Sequence, residues 1–100
     1  MKIEVVWEFV VKPRAVPRFR KLYGAAGVWA ELFRRHPGYA GTRLLQDTAS
    51  RQRFLTIDSW ESRSQFDRMR RAAREEYGHL DAACEGLTVS ERPLGVFRSA

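Results

Sequence analysis

Ile3-Glu4-Val5-Val6-Trp7-Glu8-Phe9-Val10-Val11 opens the chain with an apolar side chain at every second position. In an extended strand successive side chains point to opposite faces, so Ile3, Val5, Trp7, Phe9 and Val11 make one strongly apolar face. The other face mixes Glu4 and Glu8 with Val6 and Val10, which sit poorly in open water. A second copy packed face to face would cover them. Pro13 removes a backbone donor and ends the strand, and Pro17 is tolerated only near a helix start, so a helix is predicted from residues 14 to 16 onward.

Working outward, Phe19, Leu22, Tyr23, Ala26, Trp29, Ala30 and Phe33 recur at steps of three and four, the stripe of an amphipathic helix. Gly24 and Gly27 mark a place for a break or kink, and Pro37-Gly38 forces the stop. Tyr39 to Asp47 and Arg53 to Trp60 read as two strands joined by the polar segment 48–52, a hairpin. Ser59 or Ser62 caps a second helix whose face runs through Phe66, Met69, Ala73, Tyr77, Leu80 and Cys84 to Gly86. Residues 87–97 form a last strand, which Pro93 assigns to an edge or bends. The order is βαββαβ in one domain, residues 1–100. That is the split βαβ plan of ferredoxin-like α+β folds, an antiparallel sheet with two helices on one face.

Composition narrows the function classes. The 100 residues are 44% hydrophobic and 12% aromatic, enough for one packed core. No apolar run approaches 18 residues and the N-terminus lacks a secretory pattern, so no membrane association is expected and the cytoplasm is the expected compartment. A single cysteine, Cys84, allows neither an internal disulfide nor a zinc cluster, and no metal site is expected. Net charge is +6, and Lys2, Lys12 and Lys21 are the only lysines among 18 cations. The arginines of residues 63–76 alternate with Asp67, Glu75 and Glu76, the pattern of a solvated helix face rather than a nucleic-acid surface. RNA-recognition modules share this element order, but Arg53-Phe54-Leu55-Thr56-Ile57 lacks their glycine, so no nucleic-acid partner is expected.

Lys12-Pro13, His36-Pro37-Gly38-Tyr39-Ala40-Gly41, and Phe54 to Ser62 followed by Phe66 together resemble the antibiotic biosynthesis monooxygenase domain family. The resemblance implies a dimeric α+β barrel, with two ferredoxin-like sheets packed together as a homodimer. It implies chemistry of three kinds: cofactor-independent oxidation of aromatic, phenolic or quinol-type substrates, haem degradation, or a domain of the same fold that binds a ligand or protein without catalysis. Haem-degrading members carry an asparagine on the first strand and a tryptophan and a histidine ligand on the second helix. Counted forward from Trp60, His79 falls at the histidine position and Met69 at the tryptophan position. Trp7 falls near the asparagine position, and the chain contains no asparagine. No cofactor is therefore expected, with haem as the alternative that His79 would serve.

His79 and Tyr77 are the candidate catalytic residues. A neutral imidazole can ligate iron or accept a phenol proton near neutral pH, and a phenolic hydroxyl requires a partner when buried. His79 lies off the apolar helix stripe, and a plain surface histidine is the competing reading; His36, before Pro37, reads as a helix-end cation. Trp7, Trp29, Trp60, Phe66 and Met69 are the candidate pocket for a small aromatic molecule between sheet and helices, although the same residues also suit an ordinary core. An oxygenase of this kind requires a cavity large enough for a bicyclic ring. Cys84 reads as a buried structural thiol, and Glu4 and Glu8 as arginine partners across a subunit boundary or as exposed groups.

Overall fold

A computed structural model describes residues 1–100. The elements are β1 (Ile3–Val11), α1 (Val16–Tyr23), α2 (Val28–Arg34), β2 (Tyr39–Gln46), β3 (Arg53–Trp60), α3 (Arg63–Ala72), α4 (Arg74–Cys84) and β4 (Thr88–Phe97), with short 3-10 turns at Pro13–Ala15 and Glu85–Leu87. The strands form one antiparallel sheet in the order β2-β3-β1-β4. Each helical segment returns the chain to a strand one place removed, which is the split βαβ arrangement that the element order predicts. The Pro93-bearing strand lies at an edge, and its pairing with β1 is irregular beside Pro93, where the register shifts between Val6 and Trp7.

The predicted first helix is two helices. A Cβ at Gly27 would lie 2.2 Å from the Leu22 carbonyl oxygen, so only glycine permits this tight turn between α1 and α2. The second predicted helix is also divided, at Ala73, where neither glycine nor proline stands. Ser62 caps α3 by accepting from the Gln65 backbone N–H at 3.2 Å.

The β1 periodicity translates directly into layers. Ile3, Val5, Phe9 and Val11 are buried beneath the helices, and their cross-strand neighbours on β3 include Trp60 and Phe54, both almost fully buried. Phe19 and Leu32 close this core from the helix side. The other sheet face has no helix over it. There Val6 pairs with Ile57 and Leu45 with Leu55, and Leu45 and Phe97 are 38% and 50% exposed. Glu8 lies among them and is held by arginines of its own chain, Arg53 at 2.6 Å and Arg92 at 2.8 Å, while Ser59 donates to Glu4. No helix is long and apolar enough to cross a membrane.

Candidate functional site

Beneath the helices the core does not close completely. A cavity of about 60 Å³ remains between the sheet and α2, α3 and α4, with a mouth open to solvent. Its floor is the helix-side face of β1 and β3: Val5, Trp7 and Phe9 from one, Thr56 and Asp58 from the other. Aromatic rings make the walls. Trp29 of α2 meets the Tyr77 ring edge-on at 4.9 Å and the Tyr23 ring at 5.9 Å. The Trp29 indole N–H is buried without a hydrogen-bond partner. Arg70 of α3 lies across the opening, its guanidinium 4.6 Å from the Tyr77 ring centre and 5.8 Å from that of Phe66, within cation–π range. Asp81 and Glu91 flank the same mouth.

Asp58 is the polar feature of the floor. The alternation Phe54, Thr56, Asp58, Trp60 places its side chain on the helix-covered face of β3, among residues that any strand would bury. Burial among these groups disfavours the charged form and pushes its pKa from 3.8 up to about 6, against the opposing hydrogen bond from Thr42. Thr42 stands directly across the ladder and donates its hydroxyl to Asp58 Oδ1 at 2.5 Å. The Tyr39 hydroxyl lies 2.6 Å from the same Thr42 oxygen. Burial raises the Tyr77 hydroxyl, with the nearby Arg70 charge opposing. A carboxyl that ionises near neutrality within an aromatic enclosure is equipped to take a proton from a bound hydroxyl.

The candidate residues read from the sequence separate into three groups. Trp7, Trp29, Phe66 and Tyr77 line the cavity. Trp60 and Met69 are 0% and 1% exposed and do not line it, so they offer no surface to a ligand. His79 is exposed and faces a different groove, between α2 and α4, beside Glu31, Arg35 and Glu76. Two helical residues rotate a side chain by about 200°, so Tyr77 in the cavity turns His79 away from it. An axial ligand for haem in the cavity would have to come from elsewhere, and no cluster of His, Cys, Asp and Glu suited to a metal ion exists. Asp58, Thr42 and Arg70 were not among the candidates. The signal for Asp58 was an acid on the apolar parity of a strand. The cavity is also smaller than a bicyclic ring, because Arg70 and Tyr77 fold across its mouth.

No curated protein matches this chain. Among solved structures it is similar to SnoaB from Streptomyces nogalater, a cofactor-independent oxygenase, at 20% identity and a TM-score of 0.73, covering 99% of this chain and 93% of that one. It is similar to Rv0793 from Mycobacterium tuberculosis at 16% identity and a TM-score of 0.72, covering 100% and 96%. PA3566 from Pseudomonas aeruginosa is similar at 17% identity and a TM-score of 0.68, covering 99% and 95%. Identities this low establish the fold alone. The family model described as antibiotic biosynthesis monooxygenase matches residues 2–81, most of the length that builds the sheet and the cavity, and the chain belongs to that family.

Proposed function

We propose that this protein is a cofactor-independent monooxygenase that oxidises a small phenolic or quinol-type aromatic, with Asp58 as the general base. The observation that carries this reading is Asp58 itself, a carboxyl with a pKa near 6 in the floor of an aromatic cavity. Family membership and the fold shared with a cofactor-independent oxygenase support the reaction class. In the reaction the phenol hydroxyl gives its proton to Asp58, and the electron-rich phenolate attacks dioxygen through a ring carbon bearing hydrogen. Cleavage of the O–O bond leaves one oxygen as a carbonyl on that carbon and releases the other as water, so phenol and O2 become quinone and H2O. The substrate supplies all four electrons, and no flavin or metal enters the balance. A positioned base of this kind contributes about 10²- to 10⁴-fold in rate.

An apolar cavity of about 150 Å³ accepts benzene, so a ring enters this one only when Arg70 and Tyr77 swing aside. Arg70 is exposed, whereas Tyr77 is half-buried and would have to leave its edge-on contact with Trp29. The same small volume, together with the missing asparagine, favours a second reading in which the domain binds a small ligand or a protein without catalysis. Incubating the metal-stripped protein with 1-naphthol, 1,4-dihydroxynaphthalene and hydroquinone, and following oxygen uptake and quinone absorbance, separates the two. Stoichiometric uptake supports the oxygenase, and uptake no faster than buffer with all three supports the binding domain.

The proposed assembly is a homodimer in which the open sheet faces meet, since Val6, Leu55, Ile57 and Phe97 form an apolar surface with no helix over it. The single buried cysteine suits a reducing compartment, and the cytoplasm is the proposed location.

A further inference from the structure

We propose that Thr42 and Tyr39 form a two-hydroxyl proton relay that carries the proton collected by Asp58 along the helix-covered face to the β2 edge of the sheet while substrate fills the cavity. The proposal rests on Asp58 being the base. Its ground is an irregularity in β2. Thr42 faces Asp58 and Tyr39 faces Trp60, partners two residues apart on β3 but three apart on β2. The extra residue makes a bulge between Tyr39 and Gly41, and Gly41 holds φ at +124°, a conformation that suits only glycine. In a regular strand residues three apart point to opposite faces. The bulge instead brings both hydroxyls to the helix-covered face, with oxygens 2.6 Å apart.

The bonding allows one polarity for each state of Asp58. Thr42 has a single proton, which it donates to Asp58 Oδ1, so its oxygen accepts from Tyr39. When Asp58 holds a proton on that oxygen, the chain reverses: Asp58 donates to Thr42, Thr42 to Tyr39, and the half-buried Tyr39 releases its proton to water. One proton leaves, each hydroxyl ends as it began, and no electron moves. An exit at the β2 edge is needed because a substrate seated against Asp58 lies between it and the mouth. Other charged or titratable groups face this region: Arg70 from α3, Tyr77 and Asp81 from α4, Glu91 from β4, Tyr23 from α1, and Arg34 of α2 beside Tyr39. None of them lies in the hydroxyl chain.

The test uses Thr42→Val, Thr42→Ser and Tyr39→Phe in the full chain, with two readouts. Carbon-13 NMR of the free protein follows Asp58 Cγ and Tyr39 Cζ against pH. Both resonances are expected to move with one midpoint near 6 in the wild type and in Thr42→Ser. In Thr42→Val, Asp58 is expected to titrate at higher pH and Tyr39 to cease responding at that midpoint. A Tyr39 resonance that ignores Asp58 in the wild type overturns the relay. Oxygen uptake with 1,4-dihydroxynaphthalene gives the second readout. Thr42→Val and Tyr39→Phe are expected to keep the first turnover while steady-state kcat falls about 100-fold, and Thr42→Ser to keep most of the rate. Unchanged kcat in Thr42→Val and Tyr39→Phe overturns the relay's role in turnover. Absence of uptake by the wild type overturns the oxygenase reading instead, and the NMR midpoints still decide whether the hydroxyls are coupled.

Discussion

Asp58 and Glu8 stand on opposite faces of one sheet and are driven in opposite directions. Asp58, on the helix-covered face, has one neutral donor and apolar walls, and its carboxyl is pushed up to about 6. Glu8, on the open face, is hydrogen-bonded by Arg53 and Arg92, which hold it below its ordinary value despite the opposing effect of burial. Desolvation acts on both. What differs is whether a compensating charge is supplied. A paired carboxylate stabilises a surface, whereas one left with a single hydroxyl is available for proton transfer. The pairing of Glu8 also keeps the apolar open face free of an uncompensated charge where a second subunit would dock.

The comparison can be broken most forcefully at Asp58. Asp58→Asn keeps an acceptor for Thr42 but cannot take a proton, and oxygen uptake is expected to fall about 10²- to 10⁴-fold. The same variant is expected to change stability with a definite sign. Because folding raises this pKa, the stability contributed by protonated Asp58 is complete below 3.8 and lost as pH rises through about 6. Holding the carboxyl ionised at pH 7.5 costs the folded state about 3 kcal/mol. Urea unfolding should therefore find Asp58→Asn more stable than the wild type at pH 7.5, by up to about that amount, and no more stable at pH 3.5. A deficit at both values would contradict the assignment.

On the open face, Ile57→Lys sets a charge among apolar neighbours and is expected to raise the dissociation constant of the proposed dimer about 100-fold, a cost of about 3 kcal/mol. Sedimentation measures this, and the cavity side should remain intact. Glu8→Gln gives the smallest effect. Folding lowers this pKa, so its stabilisation is present above 4.5 and lost as pH falls through the folded value. The variant should lose stability at pH 7 and converge with the wild type in strong acid. Added salt should shrink the difference, since Arg53 and Arg92 are 43% and 69% exposed.

The layers of the fold were legible because β1 and β3 are alternating strands with one buried face, a pattern that a single residue's slip would invert. Pro37 and Pro93, likewise, act locally, and their consequences could be read locally. The site was harder to read. Trp7, Trp29, Phe66 and Tyr77 were recognisable as a ring-rich cluster, but the same property describes Trp60 and Met69, and only packing separates wall from core. Counting along an unbroken helix brought His79 forward, whereas Tyr77 two residues earlier occupies the cavity side. Asp58 was visible only as an acid on the buried parity of β3. The meeting of Tyr39 and Thr42 depends on a bulge, and no periodicity announces one.

The most direct test of the central claim is the pH dependence of kcat/KM for oxygen uptake with 1,4-dihydroxynaphthalene, in wild type and Asp58→Asn. A general base at Asp58 would act only when ionised, so the wild-type rate should rise with pH to a plateau, with a midpoint near 6, and the variant should lack both the midpoint and the plateau. A variant that retains the wild-type profile would contradict the account.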